Sequence, residues 1–406
     1  MEYRGLRETE VDEMIALQCL VFRPDGQERF AQYLRGDASY DWEQTRVGVQ
    51  DGRIVSTLRV WDRILRVGSC QVRMGGIGGV GTHPDYRGAG HGSGLVEDAT
   101  DYLRRAGFHI GGLFTEIPCQ FYRRLGWASL PRSFFRVKIA RLVSAEQHNW
   151  QVQPFVEARD LEAAVKLYEQ YNAAQSGSLV RPRDYWDMAP SRIRSVLPTV
   201  VARREGVCGG YLNYEISGQQ ARVLEVAVQG GQPTALAALV DQFLQVCARE
   251  EVREICGEVP HRHPLVEELV KRTDGDLSLE GDTVMMLYAV DLAGLLQQVL
   301  PELQERLSQA AGAWQPMAFQ FVVNQQQCVL QLSAAGQLSL AAAASTAWPL
   351  DLPESYFWRL LFGQSSWQQL SPSLATAGLA LPAEAAAVLE VLFPQREVIF
   401  WGPDHF

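Results

Sequence analysis

Nine of the twenty residues from Gly75 to Gly94, GGIGGVGTHPDYRGAGHGSG, are glycine. Two clusters within this run could each turn backbone N–H groups toward a phosphate. The first, Gly76-Ile77-Gly78-Gly79-Val80-Gly81, matches the dinucleotide fingerprint G-x-G-x-x-G. That fingerprint works only where a strand precedes the glycines and a helix follows at once, so that pyrophosphate rests on the helix N-terminus. Here Thr82-His83-Pro84-Asp85-Tyr86 follows, and Pro84 denies a helix through that point. The acidic residues further on, Asp98 and Asp101, fall inside the next helix rather than at a strand end. The second cluster, Arg87-Gly88-Ala89-Gly90-His91-Gly92, runs straight into a helical pattern. Its glycines free the backbone N–H groups, the helix dipole adds about 0.3–1 kcal/mol, and Arg87 supplies a cation. No Gly-Lys-Ser/Thr closes it, which excludes a Walker A loop. The second cluster is therefore the phosphate cradle.

The surrounding elements have to hold that cradle in place. RETEVDEMIALQCLVF is apolar at helical spacing, and TRVGVQDGRIVSTLRV breaks at Asp51-Gly52, a strong hairpin signal. From Gly92 to Arg105, Leu95, Val96, Ala99 and Leu103 share one helical face, and Gly107 suits the helix end. HIGGLFT reads as a buried strand, and EIPCQFYRRLGW as a short helix turning into another strand. The pattern then repeats. Thr45 to Val60 aligns with TVVARREGVCGGYLNY, Thr199 to Tyr214, at an offset near 154 residues. The second copy has Gly230-Gly231-Gln232-Pro233 in place of the cradle and carries no cation there. Between Arg306 and Asp351 no residue is charged, which sets off a third segment of short strands, two apolar helices (PESYFWRLLFG and PAEAAAVLEVLF) and a last strand REVIFW. The shift places a boundary near Leu292 to Pro301.

Composition narrows the class. With 406 residues, 47% hydrophobic and 21% charged, the chain is a globular protein of two or three domains. A net charge of −10 argues against general nucleic-acid binding and is compatible with a cationic substrate, although mild acidity is also ordinary for solubility. The seven cysteines show no C-x-x-C spacing, as expected of buried thiols in a reducing compartment without a zinc site. MEYRGLRETEVDEM lacks the apolar core of a signal peptide, and no run of apolar residues is long enough to span a membrane, so a cytoplasmic protein is expected.

The stretch VGTHPDYRGAGHGSGLVEDATDYLRRAG resembles motif A of the GNAT N-acetyltransferases, whose Arg/Gln-x-x-Gly-x-Gly/Ala is filled by Arg87, Gly90 and Gly92. Phe121 to Trp127, FYRRLGW, resembles the FYxxxGF segment of the same family. Over its length the chain is similar to the enhanced-intracellular-survival (Eis) type. That resemblance implies an α+β (α/β) chain with a catalytic GNAT domain at 1–145, a degenerate second GNAT domain at 146–290 and a sterol-carrier-protein-like domain at 291–406.

The resemblance also implies acetyl-CoA as cosubstrate and no metal. The strand at Val80, Gly81 and Thr82 would hydrogen-bond the pantetheine arm. Arg87, Gly88, Ala89, Gly90, His91, Gly92 and Ser93 would hold the pyrophosphate, with Ile117 and Pro118 completing the cofactor-binding set. Acetyl transfer needs a deprotonated amine, a polarised thioester and an acid for the leaving thiolate. Tyr122 stands where the family places that acid, and a phenol matches a thiolate well. The base implied is the terminal carboxylate on Phe406, with Glu116 and His83 as alternatives. The chain ends Asp404-His405-Phe406, lacking the acidic residue expected next to the terminal Phe, and Asp404 could partly substitute. Acceptors would be a primary amine of a small molecule or a lysine side chain, with no nucleic-acid or membrane partner, in a homo-oligomer that is hexameric by resemblance. A GNAT relic that only binds CoA, or a lipid-binding protein using the tail domain, stays open as an alternative.

Overall fold

A computed structural model describes the chain apart from residues 38, 116, 144–147, 188–198, 261, 311, 313 and 345. The chain divides into two compact units: Met1–Leu130 with Thr283–Glu397 and Phe406, and Pro131–Asp282 with Val398–His405. These units cut across the three expected spans, and the reason lies in the strand pairing. Arg132–Lys138 pairs with Glu254–Gly257 and Asp276–Asp282 in the second unit. In the first unit, Met285–Ala289 lies between Ile110–Phe114 and Ala128–Ser129. Pairing between strands so far apart in sequence leaves no local signal.

In the first unit, β1 (Glu2–Gly5), β2 (Thr45–Gln50), β3 (Arg53–Val67) and β4 (Cys70–Thr82) form an antiparallel run, and β4 then pairs in parallel with β5 (Ile110–Phe114). The β2–β3 turn is Asp51-Gly52, at φ +51° and +76°, the two left-handed residues that a tight hairpin matched to strand twist demands. Helices α1 (Val11–Val21) and α2 (Gln27–Arg35) join β1 to β2, and α3 (His91–Arg105) crosses from β4 to β5. The predicted face of α3 is buried: Leu95, Val96, Ala99 and Leu103 pack with Leu58, Val60, Ile77 and Trp127. Its start lies one residue before the expected Gly92. Gly107, at φ +74°, follows its end.

The charge-free segment also belongs to this unit, as a four-stranded sheet of Leu338–Ala341, Gln326–Leu332, Met317–Val323 and Trp348–Asp351. A continuous helix, Leu292–Gln309, runs through the range read as a boundary and carries Pro301 inside it. The helix holds the β3–β4 turn through Glu302, which accepts from Ser69 Oγ at 2.6 Å. Two readings here are corrected. Three helices follow the sheet rather than two, because Trp367–Thr376 is helical despite Pro372. REVIFW forms no strand: Val398 makes only an isolated bridge to Ser176.

The second unit repeats the first in outline. Gln151–Pro154, Val200–Arg204, Val207–Ser217 and Gln220–Val228 are antiparallel neighbours, and the last of them pairs in parallel with Glu254–Gly257 after the helix Pro233–Arg249. The turns repeat too. Glu205-Gly206 sits at φ +52° and +81°, and Gly218 at +57° answers Gly68 at +59°. Where the first unit has its cradle, the second opens its helix with Pro233, which has no N–H to offer an anion.

Candidate active site

Two departures from regular pairing shape the centre of the first sheet. On the β3 side, Thr57 faces Gly81 and Arg59 faces Gly78, so Gly79 and Val80 together oppose Leu58 in a β-bulge, with Gly79 at φ +62°. On the β5 side, β4 is paired only from Met74 to Ile77. Beyond that point the two strands part, and among the described residues no strand pairs with Gly78–Thr82 on that side. An extended molecule with amide groups could lie along this open edge as an added strand does. The Val80, Gly81 and Thr82 positions predicted for the cofactor arm fall on it.

Thr82 leads through a short turn, Pro84–Tyr86, into the cradle. His83 accepts the N–H of Asp85 through Nδ1 at 3.3 Å, which makes it the cap of that turn rather than an obvious base. Arg87 donates from Nε to the Thr82 carbonyl at 3.3 Å and stays exposed. Gly88 and Gly90 take φ of +81° and +83°, and a Cβ at either would meet nothing within 4 Å. Their role is backbone conformation, which side chains other than glycine's resist. Gly90 caps α3, so the N–H groups of His91, Gly92 and Ser93 have no intrahelical acceptor. No acidic residue stands in the first turn of α3 to compete with an anion. Ala89 is exposed beside them. Asp98, which a dinucleotide reading would need for a ribose, instead makes a two-pronged ion pair with Arg46 (2.7 and 3.1 Å) that ties α3 to β2.

Helix α4 (Gln120–Arg123) carries Tyr122, which is buried against Phe121 and Trp127 with ring centroids 4.8 and 6.4 Å away. Its hydroxyl makes no hydrogen bond among the described residues. Burial pushes its pKa up to about 12, so the phenol keeps its proton. Ile117 and Pro118 are exposed in the preceding turn, where Thr115 Oγ1 accepts the Ile117 N–H at 3.2 Å. Glu116 lies outside the described residues.

Phe406 is seated where β4 and β5 part. Its ring meets Phe114 edge-on at 5.4 Å, and a Cβ on Gly76 would stand 2.6 Å from its Cζ. Its carboxyl carbon lies 3.2 Å from where a Cβ on Gly78 would be, and the Trp61 indole nitrogen lies 3.3 Å from that same point. The glycines of the apparent fingerprint are thus needed for room, and Gly76 and Gly78 make space for Phe406. Asp404, expected as a partial substitute for the missing acid, is buried in the second unit, 2% exposed, with Arg181 Nε donating to it at 2.8 Å.

One group of residues escaped the sequence reading. Arg59 lies between the Tyr40 and Trp61 rings, at 4.3 and 4.2 Å, and pairs with Asp37 at 2.9 Å. Across β3 and β4, Arg59 and Trp61 face Gly78 and Gly76, which puts this cation and these rings on the face that holds Phe406. Divided between the loop after α2 and β3, they show no motif.

Residues 2–130 match the family model of the acetyltransferase (GNAT) domain, so the chain carries a GNAT acetyltransferase domain. Over the whole chain the fold is of the Eis type. It is similar to Eis1 from Mycobacterium abscessus, at 17% identity and TM-score 0.69, covering 100% of both chains. It is also similar to a GCN5-related N-acetyltransferase from Anabaena variabilis (15% identity, TM-score 0.72, 98% of this chain and 100% of that one). A probable N-acyltransferase from Enterococcus faecalis gives 16% identity and TM-score 0.74, over 98% of this chain and 97% of that one. No curated protein matches the chain.

Proposed function

We propose that the protein is an acetyl-CoA-dependent N-acetyltransferase that acetylates a primary amine of a small molecule or a lysine side chain by direct attack. The observation that carries this reading is the seat of Phe406, whose carboxyl stands beside Gly78 where β4 and β5 separate. The pantetheine would lie along Val80–Thr82 and the pyrophosphate on Arg87–Ser93, which brings the thioester to the same point. The amine nitrogen forms its bond to the acetyl carbon and passes a proton to the Phe406 carboxylate. The C–S bond breaks, and Tyr122 gives its proton to the departing thiolate.

The loss of the cradle supports reading the second repeat, 146–290, as a degenerate GNAT domain without catalysis. On the resemblance, the segment 291–406 is read as sterol-carrier-protein-like. A homo-oligomer, hexameric on the resemblance, and a cytoplasmic location belong to the same reading; among the described residues no helix is long and apolar enough to cross a membrane.

The test is release of free thiol from acetyl-CoA in the presence of a panel of primary amines and lysine peptides. Turnover on at least one acceptor, lost when Phe406 is deleted while CoA still binds, is expected. Binding of CoA with no turnover on any amine would leave the non-catalytic reading in its place.

A further inference from the structure

In α1, Met14, Leu17, Gln18 and Val21 follow the i, i+3, i+4, i+7 spacing of the stripe that a helix turns to the interior. Met14 and Leu17 join an apolar core with Val47, Val49 and Ile54. Gln18 stands in that stripe where an apolar side chain is the rule, and it is 7% exposed. Its side-chain amide makes no hydrogen bond among the described residues. An amide buried without a partner is costly, so packing does not account for a glutamine at this position.

The amide sits on the bulge of β4. A Cβ on Gly79 would stand 3.4 Å from Gln18 Nε2 and 3.8 Å from its Oε1. One turn further along α1, Val21 Cγ1 and Phe22 Cε2 lie 3.2 and 3.0 Å from where a Cβ on Gly81 would be. Of these three side chains over β4, Gln18 alone brings polar atoms. Thr57 and Arg59 are two apart on β3 and share a face, so their partners Gly81 and Gly78 look the same way. The Phe406 carboxyl beside Gly78 is therefore on the face that α1 covers. Neighbouring Cα atoms are about 3.8 Å apart, so the amide and the carboxyl attend consecutive residues of one strand. All of these groups belong to the first unit.

We propose that Gln18 binds the reacting nitrogen of the acceptor, its Oε1 accepting the N–H that the product amide keeps, and so selects primary over secondary amines. The inference rests on the reading of Phe406 as the base. A neutral primary amine carries two N–H groups. One proton passes to the Phe406 carboxylate as the C–N bond forms; the C–S bond breaks and the thiolate takes the Tyr122 proton. The second N–H stays on the nitrogen and needs an acceptor. An uncharged amide suits that task. A second carboxylate would hold the amine as ammonium, which has no lone pair to attack with, and a cation would repel it. The nitrogen gains positive charge during attack, so its bond to Oε1 strengthens in the transition state. A secondary amine has a single N–H, which the base takes, and it leaves Gln18 unpaired.

Gln18→Leu tests this on the primary amine turned over fastest in the panel and on the N-methyl derivative of that amine. The variant should lose about 10- to 10²-fold in kcat/KM on the primary amine and less than about 2-fold on the N-methyl one. Acetyl-CoA binding, measured by calorimetry without any amine, should be unchanged. Tm should hold or rise, since an apolar side chain replaces an unpaired amide. Gln18→Glu keeps an acceptor oxygen and should recover most of the primary-amine rate at high pH. Its acid limb should move to higher pH, because the new carboxylate holds the ammonium. Wild-type kcat/KM on the primary amine in Gln18→Leu, an equal loss on both amines, or weaker acetyl-CoA binding would each overturn the proposal. Where the N-methyl amine is too slow to follow, a Gln18→Glu as slow as Gln18→Leu at every pH would overturn it. Deleting Phe406 separates the two readings, since it should abolish turnover of both amines. Full activity of that deletion would remove the base reading and the role of Gln18 with it, whereas an inactive deletion beside an indifferent Gln18→Leu would remove the role of Gln18 alone.

Discussion

Replacing Gly76 by alanine isolates the seat of Phe406 from the rest of the fold. Gly76 is not in the left-handed region, so alanine meets no backbone strain there, and its lower unfolded-state entropy favours folding by about 0.4–1 kcal/mol. The new methyl would stand 2.6, 2.7 and 2.8 Å from Cζ, Cε2 and Cε1 of Phe406. Carbon atoms pack at about 3.5–4.0 Å, so the ring has to retreat by about 1 Å. Because those atoms are the far end of a side chain, Tm should hardly change. The carboxyl moves with the ring, and a shift of that size should lower kcat about 10²-fold, a barrier increase of about 2.7 kcal/mol. Thiol release at saturating acetyl-CoA measures kcat, and the acetyl-CoA KM should stay the same. Trimming the ring in Gly76→Ala/Phe406→Val should recover part of the loss. Wild-type kcat in Gly76→Ala, with a structure showing the ring displaced, would refute the placement of the base. A parallel rise in the acetyl-CoA KM would refute the separation of the tail seat from the cofactor edge.

The other expectations concern single groups. Tyr122→Phe keeps the packing on Phe121 and Trp127 and should cost about 10²–10⁴-fold in kcat with substrate affinities unchanged. Because burial raises that phenol to about 12, kcat should show no alkaline fall from its ionisation below about pH 11, and a Tyr122-dependent limb near pH 10 would contradict its burial. Arg87→Ala should raise the acetyl-CoA KM about 10-fold or more, an effect that shrinks with added salt and leaves kcat within about 3-fold; an unchanged KM would remove Arg87 from the cradle. His263 accepts the Leu265 N–H on Nδ1 at 3.2 Å and meets the Tyr171 hydroxyl through Nε2 at 2.7 Å, so burial leaves no place for a second proton and lowers its pKa to about 4. The unfolded chain takes up that proton first. Stability should therefore fall by up to about 3 kcal/mol as pH drops from about 6.5 to about 4, with none of this loss above 6.5. Urea unfolding of His263→Asn should show a shallower fall over that range, and an equal fall would assign the loss elsewhere.

What could be read from residues alone followed local chemistry. The glycine turn into α3 was legible because Gly88 and Gly90 carry their signal within a few positions of the helix they precede. The Asp51-Gly52 and Glu205-Gly206 hairpins were legible for the same reason, since positive φ at two consecutive residues selects the residue types. Other features depended on pairing over long separations. Nothing near Met285 indicates that its strand enters the first sheet between β5 and Ala128–Ser129. That Arg59 and Trp61 stand opposite the glycines that make room for Phe406 needs the β3–β4 register. REVIFW has the apolar run of a buried strand, yet its side chains serve as anchors, with Ile399, Phe400 and Trp401 buried. Gly76-Ile77-Gly78 resembled a nucleotide fingerprint because a close approach of another group demands glycine as surely as a phosphate does.

The strand Met285–Ala289 has a consequence for how the molecule is made. A ribosome releases α3 and Tyr122 early, but the sheet that carries them lacks an internal strand until residue 289 emerges. The first fold to be started thus waits for residues beyond the second unit's main span, and its β5 edge is unpaired and open to wrong partners until then. Its closure involves contacts of high sequence separation, which are slow to form.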